Sequence, residues 1–345
     1  MSENFPYNKL SRELAEAKLA KETFNRLTLS FYKYVNINKP EELRVSLFHQ
    51  WEELGVLGRT YLASEGINAQ ISIPEHNLNN FKEQLYNISY FKNIPFKIAV
   101  DHQNFSFYKL TIKVKKQIVA DGLSVGDYDV TNVGKHLSSK EWNEAMNDGA
   151  IVVDMRNHYE SEIGHFKNAI LPDSETFREE LPMVKSMLKG KEDENILLYC
   201  TGGIRCEKAS AYLKNEGFIS VNQLYGGIIN YFHEVKENGL ENKFLGKNFV
   251  FDDRVAERIS DDVISLCHQC DEPCDNHTNC ANVQCNLLFI QCDKCAKKHK
   301  NCCSPDCVKI SSLPEEEQKK LRAGKENKKM FHSHKRVDLK SKFKK

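Results

Sequence analysis

The stretch NILLYCTGGIRCEKASAYLKNEG, residues 195–217, most narrows the folds open to this chain. An apolar run of strand length ends at Cys200. Two glycines follow, then a helical pattern closed by Gly217 as a C-terminal cap. A strand this apolar is buried on both faces, as in a parallel sheet covered by helices. AIVVDMR is a second such run, ending in Asp154 and Arg156, and SVNQLYGG is a shorter third. With the helix signal SSKEWNEAMN ahead of them, strands alternate with helices. That order predicts an α/β domain with a parallel sheet over residues 139–240.

The loop between strand and helix carries chemistry. Gly202 and Gly203 let the backbone curl so that the amides of Thr201, Gly202, Gly203 and Ile204 form a cradle for an anion. A helix N-terminus adds a positive field. The same field stabilises a thiolate at Cys200, and Arg205 supplies a fixed cation beside it. A buried, inert cysteine on an ordinary turn is the plainer alternative. The position at the C-terminal end of a parallel strand tips the reading to Cys200 and Arg205 as catalytic residues. Cys206 is a candidate resolving thiol, or simply a small buried helix residue. Asp154 and Arg156 are expected to brace the loop as a strand-end ion pair.

The flanks differ in kind. Residues 1–22 read as a polar lead-in. Over 23–120 the pattern runs β-α-β-β-α-β, the order of a ferredoxin-like α+β unit, and 121–138 reads as a linker. Residues 241–313 hold ten of the twelve cysteines: Cys267, Cys270, Cys274, Cys280, Cys285, Cys292, Cys295, Cys302, Cys303 and Cys307. The C-x2-C pairs favour zinc, at two sites with two thiols left over, and His268, His277 and His299 are further candidate ligands. Disulfides or an iron–sulfur cluster are the alternatives. The segment 314–345 is expected to be a disordered basic tail. From Lys319 onward twelve Lys and Arg face two acids, a net +10 that leaves −9 on the preceding residues. Such a tail is either a solvated run or a contact for a polyanion. Lys109, Lys113 and Lys115 alternate along a strand and are candidate RNA contacts. No apolar run reaches the ~18 residues of a membrane span. The polar N-terminus lacks a secretory apolar region, so a cytoplasmic protein is expected.

CTGGIR resembles the active-site loop of the rhodanese family. VVDMRNHYESEIGHFKNAI and LYGGIINY resemble that family's early and closing signatures. With SEGINAQIS before it, and CHQCDEPCDNHTNC and LLFIQCDKC after it, the chain resembles the bacterial tRNA uridine hydroxylase family (TrhO). That resemblance implies a rhodanese-like central domain and an enzyme acting on tRNA at the anticodon loop. The implied reaction hydroxylates carbon 5 of the wobble uridine with molecular oxygen. No flavin, nicotinamide or haem motif is visible. Two other readings are a sulfurtransferase carrying a persulfide on Cys200, and a non-catalytic binding module.

Overall fold

The structure is a computed structural model that describes residues 6, 8, 10–101, 105–124, 126–326, 332–333 and 339–343. After a short helix, α1 (Arg12–Leu19), capped by the Ser11 side chain, the first unit runs β1 (Arg26–Tyr34), α2 (Pro40–Glu53), β2 (Leu57–Ala63), β3 (Gly66–Pro74), α3 (Leu78–Asn87), β4 (Lys97–Ile98) and β5 (Leu110–Val114). Pro40 at the first helical position and Glu41 and Glu42 in the first turn start α2. Ser64 and Glu65 turn β2 into β3. Gly66 is obligatory there, because a Cβ would lie 2.0 Å from the Lys33 carbonyl oxygen. The sheet order is β4-β1-β3-β2-β5, antiparallel except that β5 runs parallel to β2. This is the ferredoxin-like arrangement with one strand added at the edge.

Strand alternation gives this sheet two different faces. Leu29, Phe31, Ile67 and Ile71 point into a core with Trp51, Phe81 and Leu85 of α2 and α3. The register puts Ser30, Tyr32, Arg59, Tyr61, Asn68, Gln70 and Lys97 together on the other face. That face turns towards the second unit.

The second unit is β6 (Lys135–Leu137), α4 (Ser139–Asn147), β7 (Ile151–Asp154), α5 (His158–Ser161), β8 (Gly164–Phe166), α6 (Phe177–Met187), β9 (Asn195–Tyr199), α7 (Ile204–Asn215), β10 (Ser220–Leu224) and α8 (Gly227–Asn238). Its four-stranded sheet, β6-β10-β9-β7, is parallel throughout. Ile196 and Leu198 of β9 pack with Leu181 of α6 and Leu213 of α7. Leu197 and Tyr199 pack with Trp142 of α4 and Ile228 of α8. A strand buried on both sides explains the unbroken apolar run. Strand β6 falls inside the segment expected to be a linker. Only Leu137 of its three residues is buried, so it left no apolar pattern to read.

β11 (Phe244–Phe249) pairs antiparallel with β8 and with β12 (Ala256–Arg258), which ties the last unit to the second. Then come β13 (His277–Asn279), β14 (Leu287–Ile290), α9 (Asp293–His299), α10 (Pro305–Ser311), α11 (Glu315–Arg322), β15 (His332–Ser333) and α12 (Leu339–Lys342). Thiols replace aliphatic side chains in this core: Cys280, Cys302, Cys303 and Cys307 pack with Leu287, Phe289 and Leu339. The tail expected to be disordered contributes the described pieces α11, β15 and α12. The apolar surface of Leu339, buried in that core, accounts for the last of these. Much of the basic tail (327–331, 334–338 and 344–345) lies outside the described residues. Among the described residues no helix is long and apolar enough to cross a membrane.

Candidate active site between the sheet face and the cysteine loop

Strand β9 delivers Cys200 to the floor of a cavity. Gly203, with φ +94°, caps α7, and its N–H donates to the Cys200 sulfur at 3.1 Å. The thiol is 1% exposed. Burial alone would push its pKa up. The Cys206 thiol donating to it, the Arg205 charge and the amides of Arg205 and Cys206 prevail and bring it down to about 5. Cys206 is pushed the opposite way, by its own burial and by that hydrogen bond, so it holds its proton. The start of α8 fixes the loop from behind: the amides of Ile228 and Ile229 donate to the carbonyls of Cys200 and Thr201. Gly227, with φ +68°, must be glycine there, since a Cβ would sit 2.5 Å from the Cys200 carbonyl oxygen.

Arg205 lines the cavity, but its two terminal nitrogens donate to Glu160 at 2.6 and 2.9 Å. Glu160 is fully buried and also accepts from the Asn157 amide. The guanidinium is therefore braced from α5 as well as facing the thiol. Asp154 and Arg156 form a buried bidentate pair at 2.7–2.8 Å. Tyr199 donates to Asp154, and Arg156 donates to the Gly164 carbonyl.

The uncovered face of the first sheet forms the opposite wall. The cavity holds about 400 Å³, within the range of small-molecule sites. Lys97, Tyr32, Tyr61, Arg59, Asn68 and Gln70 line it from the sheet, and Phe251, Asp252 and Arg254 from the segment after β11. Burial lowers the Lys97 pKa to about 8, against the opposing charges of Cys200 and Glu207. Glu207 accepts from Tyr32 and Gln223 and meets the His136 ring, which ties sheet and loop together. A second clamp is Lys208, buried between Glu65 at 3.1 Å and Asp121 at 3.0 Å. Lys113 and Lys115 are exposed and share the cavity face of the sheet with Arg59 and Tyr61. The Lys115 ammonium lies 5.9 Å from the Tyr61 ring centroid. Lys109 is half-buried.

None of the sheet residues that line the cavity itself was singled out from the sequence. For Tyr32, Asn68 and Gln70 the signal there is the polar half of the alternation in RLTLSFYKYV and INAQISI, which reads as an ordinary solvated face until a second unit packs on it.

The C-terminal thiols form two groups of four. Cys267, Cys270, Cys292 and Cys295 are one set, and Cys280, Cys285, Cys303 and Cys307 the other. Within each, the sulfurs lie within 4.8 Å of one another. Zinc–sulfur bonds of about 2.3 Å imply tetrahedral edges of about 3.8 Å. The pairs Cys270–Cys292, Cys285–Cys303 and Cys303–Cys307 stand at 3.6, 3.6 and 3.8 Å, so the donor sets fit that ion. Cys274 and Cys302, candidates with the other eight, stand outside both sets and are the two thiols left over. Cys274 accepts from the Asn276 amide, and Cys302 meets the Ser311 hydroxyl. His268 is likewise outside, on Glu162 at 2.8 Å.

Three family models match the chain: a UPF0176 acylphosphatase-like domain over residues 26–118, a rhodanese-like domain over 138–234 and a rhodanase C-terminal region over 245–308. A protein of Leptospira interrogans named tRNA uridine(34) hydroxylase is 56% identical over 332 residues, covering 96% of this chain and 90% of the relative. Proteins of the same name from Photorhabdus laumondii and Escherichia fergusonii are 50% and 49% identical, each covering 93% of this chain and 92% of the relative. Among solved structures, a rhodanese-like domain from Anabaena sp. is 17% identical, covering 33% of this chain and 80% of that one, with a TM-score of 0.26.

Proposed function

This chain belongs to the tRNA uridine(34) hydroxylase family, and from that premise we propose that it is an enzyme that hydroxylates carbon 5 of the wobble uridine of tRNA. The observation that carries the reading is the 56% identity to a relative of that name over 96% of this chain. It favours hydroxylation over sulfur transfer. The geometry suits it: a base unstacked from a single-stranded anticodon loop needs a pocket of this size with aromatic walls and polar groups at one end. Lys113 and Lys115, exposed beside Tyr61 on the same sheet face, would hold phosphates, with the basic tail as a further contact.

We assign Cys200 as the nucleophile. Its thiolate adds to carbon 6 of the uracil ring, which makes carbon 5 electron-rich and able to react with dioxygen. One oxygen atom enters the base at carbon 5 and the other leaves as water, so the cycle also takes two electrons and two protons from a donor. Loss of the carbon 5 proton then expels the Cys200 thiolate from carbon 6 and restores the double bond. Arg205, the Cys206 thiol and the loop amides hold the sulfur ionised before attack. Because no step of this route oxidises Cys200, Cys206 serves as that hydrogen-bond donor and not as a resolving thiol. We further propose one zinc ion in each four-cysteine set, with a structural role, in a cytoplasmic protein whose thiols stay reduced.

The test is nucleoside mass spectrometry of unmodified tRNA incubated with the protein in air, with wild type and Cys200→Ser in parallel. The reading expects 5-hydroxyuridine from wild type and none from the variant. Equal product from both removes Cys200 from the chemistry. Absence of product from wild type, supplied with a thiol reductant, removes the reaction.

A further inference from the structure

The cavity holds a cation that the cysteine loop does not supply. Lys97 belongs to β4, the two-residue edge strand of the first sheet, yet it is only 9% exposed. Its ammonium lies 4.2 Å from the Tyr32 ring centroid and makes no hydrogen bond or ion pair among the described residues. Its stem lies against the loop: a Cβ on Gly202 would stand 3.7 Å from Lys97 Cδ. One on Gly203 would stand 2.8 Å from the Tyr32 hydroxyl. Gly203 therefore leaves room for the other unit's Tyr32, and the Lys97 stem packs over Gly202 at ordinary contact distance.

The other cations around the cavity are committed elsewhere. Arg205 is held by Glu160, Arg254 by Asp252 and Glu257, and Arg59 by the Phe251 carbonyl. A guanidinium in any case keeps its proton. The Tyr32 hydroxyl donates to Glu207, and burial followed by the Glu207 charge pushes its pKa further up. The charges facing Lys97 are Cys200 and Glu207, with His136 behind Glu207 and Asp252 across the cavity.

Resting on the uridine reading above, we propose that Lys97 is the proton donor that answers the attack of Cys200. The Cys200 sulfur forms a bond to carbon 6. The π pair between carbons 5 and 6 shifts so that charge develops on the carbon 4 carbonyl oxygen. Lys97 passes a proton to that oxygen, leaving a thioether-linked enol and a neutral amine. Nothing is oxidised or reduced in this step, and the enol is electron-rich at carbon 5. Burial has already made the ammonium easier to deprotonate than a free lysine, which suits a donor working near neutral pH.

The experiment compares full-length, metal-replete wild type, Lys97→Met and Lys97→Arg. One arm measures 5-hydroxyuridine formed on an anticodon stem-loop RNA with an unmodified wobble uridine. The other measures iodoacetamide alkylation of Cys200 against pH, read by peptide mass. The proposal expects Lys97→Met to lose about 10²-fold or more in kcat with KM within about twofold, and Lys97→Arg to stay as slow. The alkylation midpoint should rise by about 1 unit in Lys97→Met and stay near wild type in Lys97→Arg. Wild-type turnover in Lys97→Met, a loss confined to KM, or recovery by Lys97→Arg overturns proton donation. An unmoved alkylation midpoint in Lys97→Met overturns the placement of the ammonium beside the sulfur. A wild type that alkylates as expected yet makes no 5-hydroxyuridine overturns the uridine reading alone, and the midpoint shift still decides whether Lys97 faces Cys200.

Discussion

Cys200 and Cys303 are buried to nearly the same degree, 1% and 2% exposed, and differ in what meets the sulfur. Cys200 meets a helix N-terminus, an amide at 3.1 Å, a guanidinium and an open cavity. Cys303 meets two other thiols, at 3.6 and 3.8 Å, in a closed set. One surrounding presents a single charged sulfur to a ligand. The other gathers four sulfurs close enough to hold a metal ion, and four thiolates at that distance would repel one another without one. Burial alone therefore tells little about a cysteine; the neighbours decide between reaction and structure.

The largest expected effect tests the structural half of that contrast. Cys303→Ser takes one ligand from a set of four, and structural zinc sites contribute on the order of 10 kcal/mol to folding. The variant should lose one equivalent of bound metal and unfold the C-terminal unit, seen as a lost thermal transition, whereas Cys274→Ala should keep its metal. Equal metal content in the two variants would break the assignment of the sets. Cys200→Ser should do the reverse, abolishing turnover while leaving metal content and melting temperature at wild-type values.

Glu160→Gln sharpens the comparison from within the loop. It leaves the buried Arg205 cation without its counter-ion, at a cost of about 3 kcal/mol, and frees the guanidinium to shift away from Cys200. Lower stability by chemical denaturation, together with slower alkylation of Cys200 at pH 6, is the expected pair of results. Gly227→Ala should cost less, about 1–3 kcal/mol of strain, with turnover falling as the Cys200 carbonyl is displaced. The smallest effect is expected at the exposed lysines beside Tyr61. Lys113→Ala and Lys115→Ala should each reduce the salt dependence of RNA binding by about one unit of slope, with kcat unchanged.

The parts legible in the sequence were those held by local rules. NILLYC and AIVVDMR are apolar on both faces because β9 and β7 lie inside a parallel sheet, and the glycines of CTGGIR sit where a strand turns into a helix. The ferredoxin-like order followed from strand patterns and from helix signals such as Pro40 with its acidic pair and the spacing of Leu78, Phe81 and Leu85. The parts that stayed hidden depend on distant contacts. Lys97 stands on a two-residue strand and meets Gly202 more than a hundred residues away. Glu160 lay in plain view in HYESE, but nothing local says that Arg205 folds back onto it. The cysteine sets interleave along the chain, 267 and 270 with 292 and 295, then 280 and 285 with 303 and 307. Spacing therefore supported ten candidate ligands and could not sort them.

The account stands on the charge state of one sulfur. Alkylation of Cys200 in the native, metal-replete protein, followed by peptide mass from pH 3 to 10, measures it directly. Because the thiolate is the reactive form, the rate should climb through a midpoint near 5 and stay level above pH 7. A midpoint in the range of a free thiol, about 8.5, would contradict it.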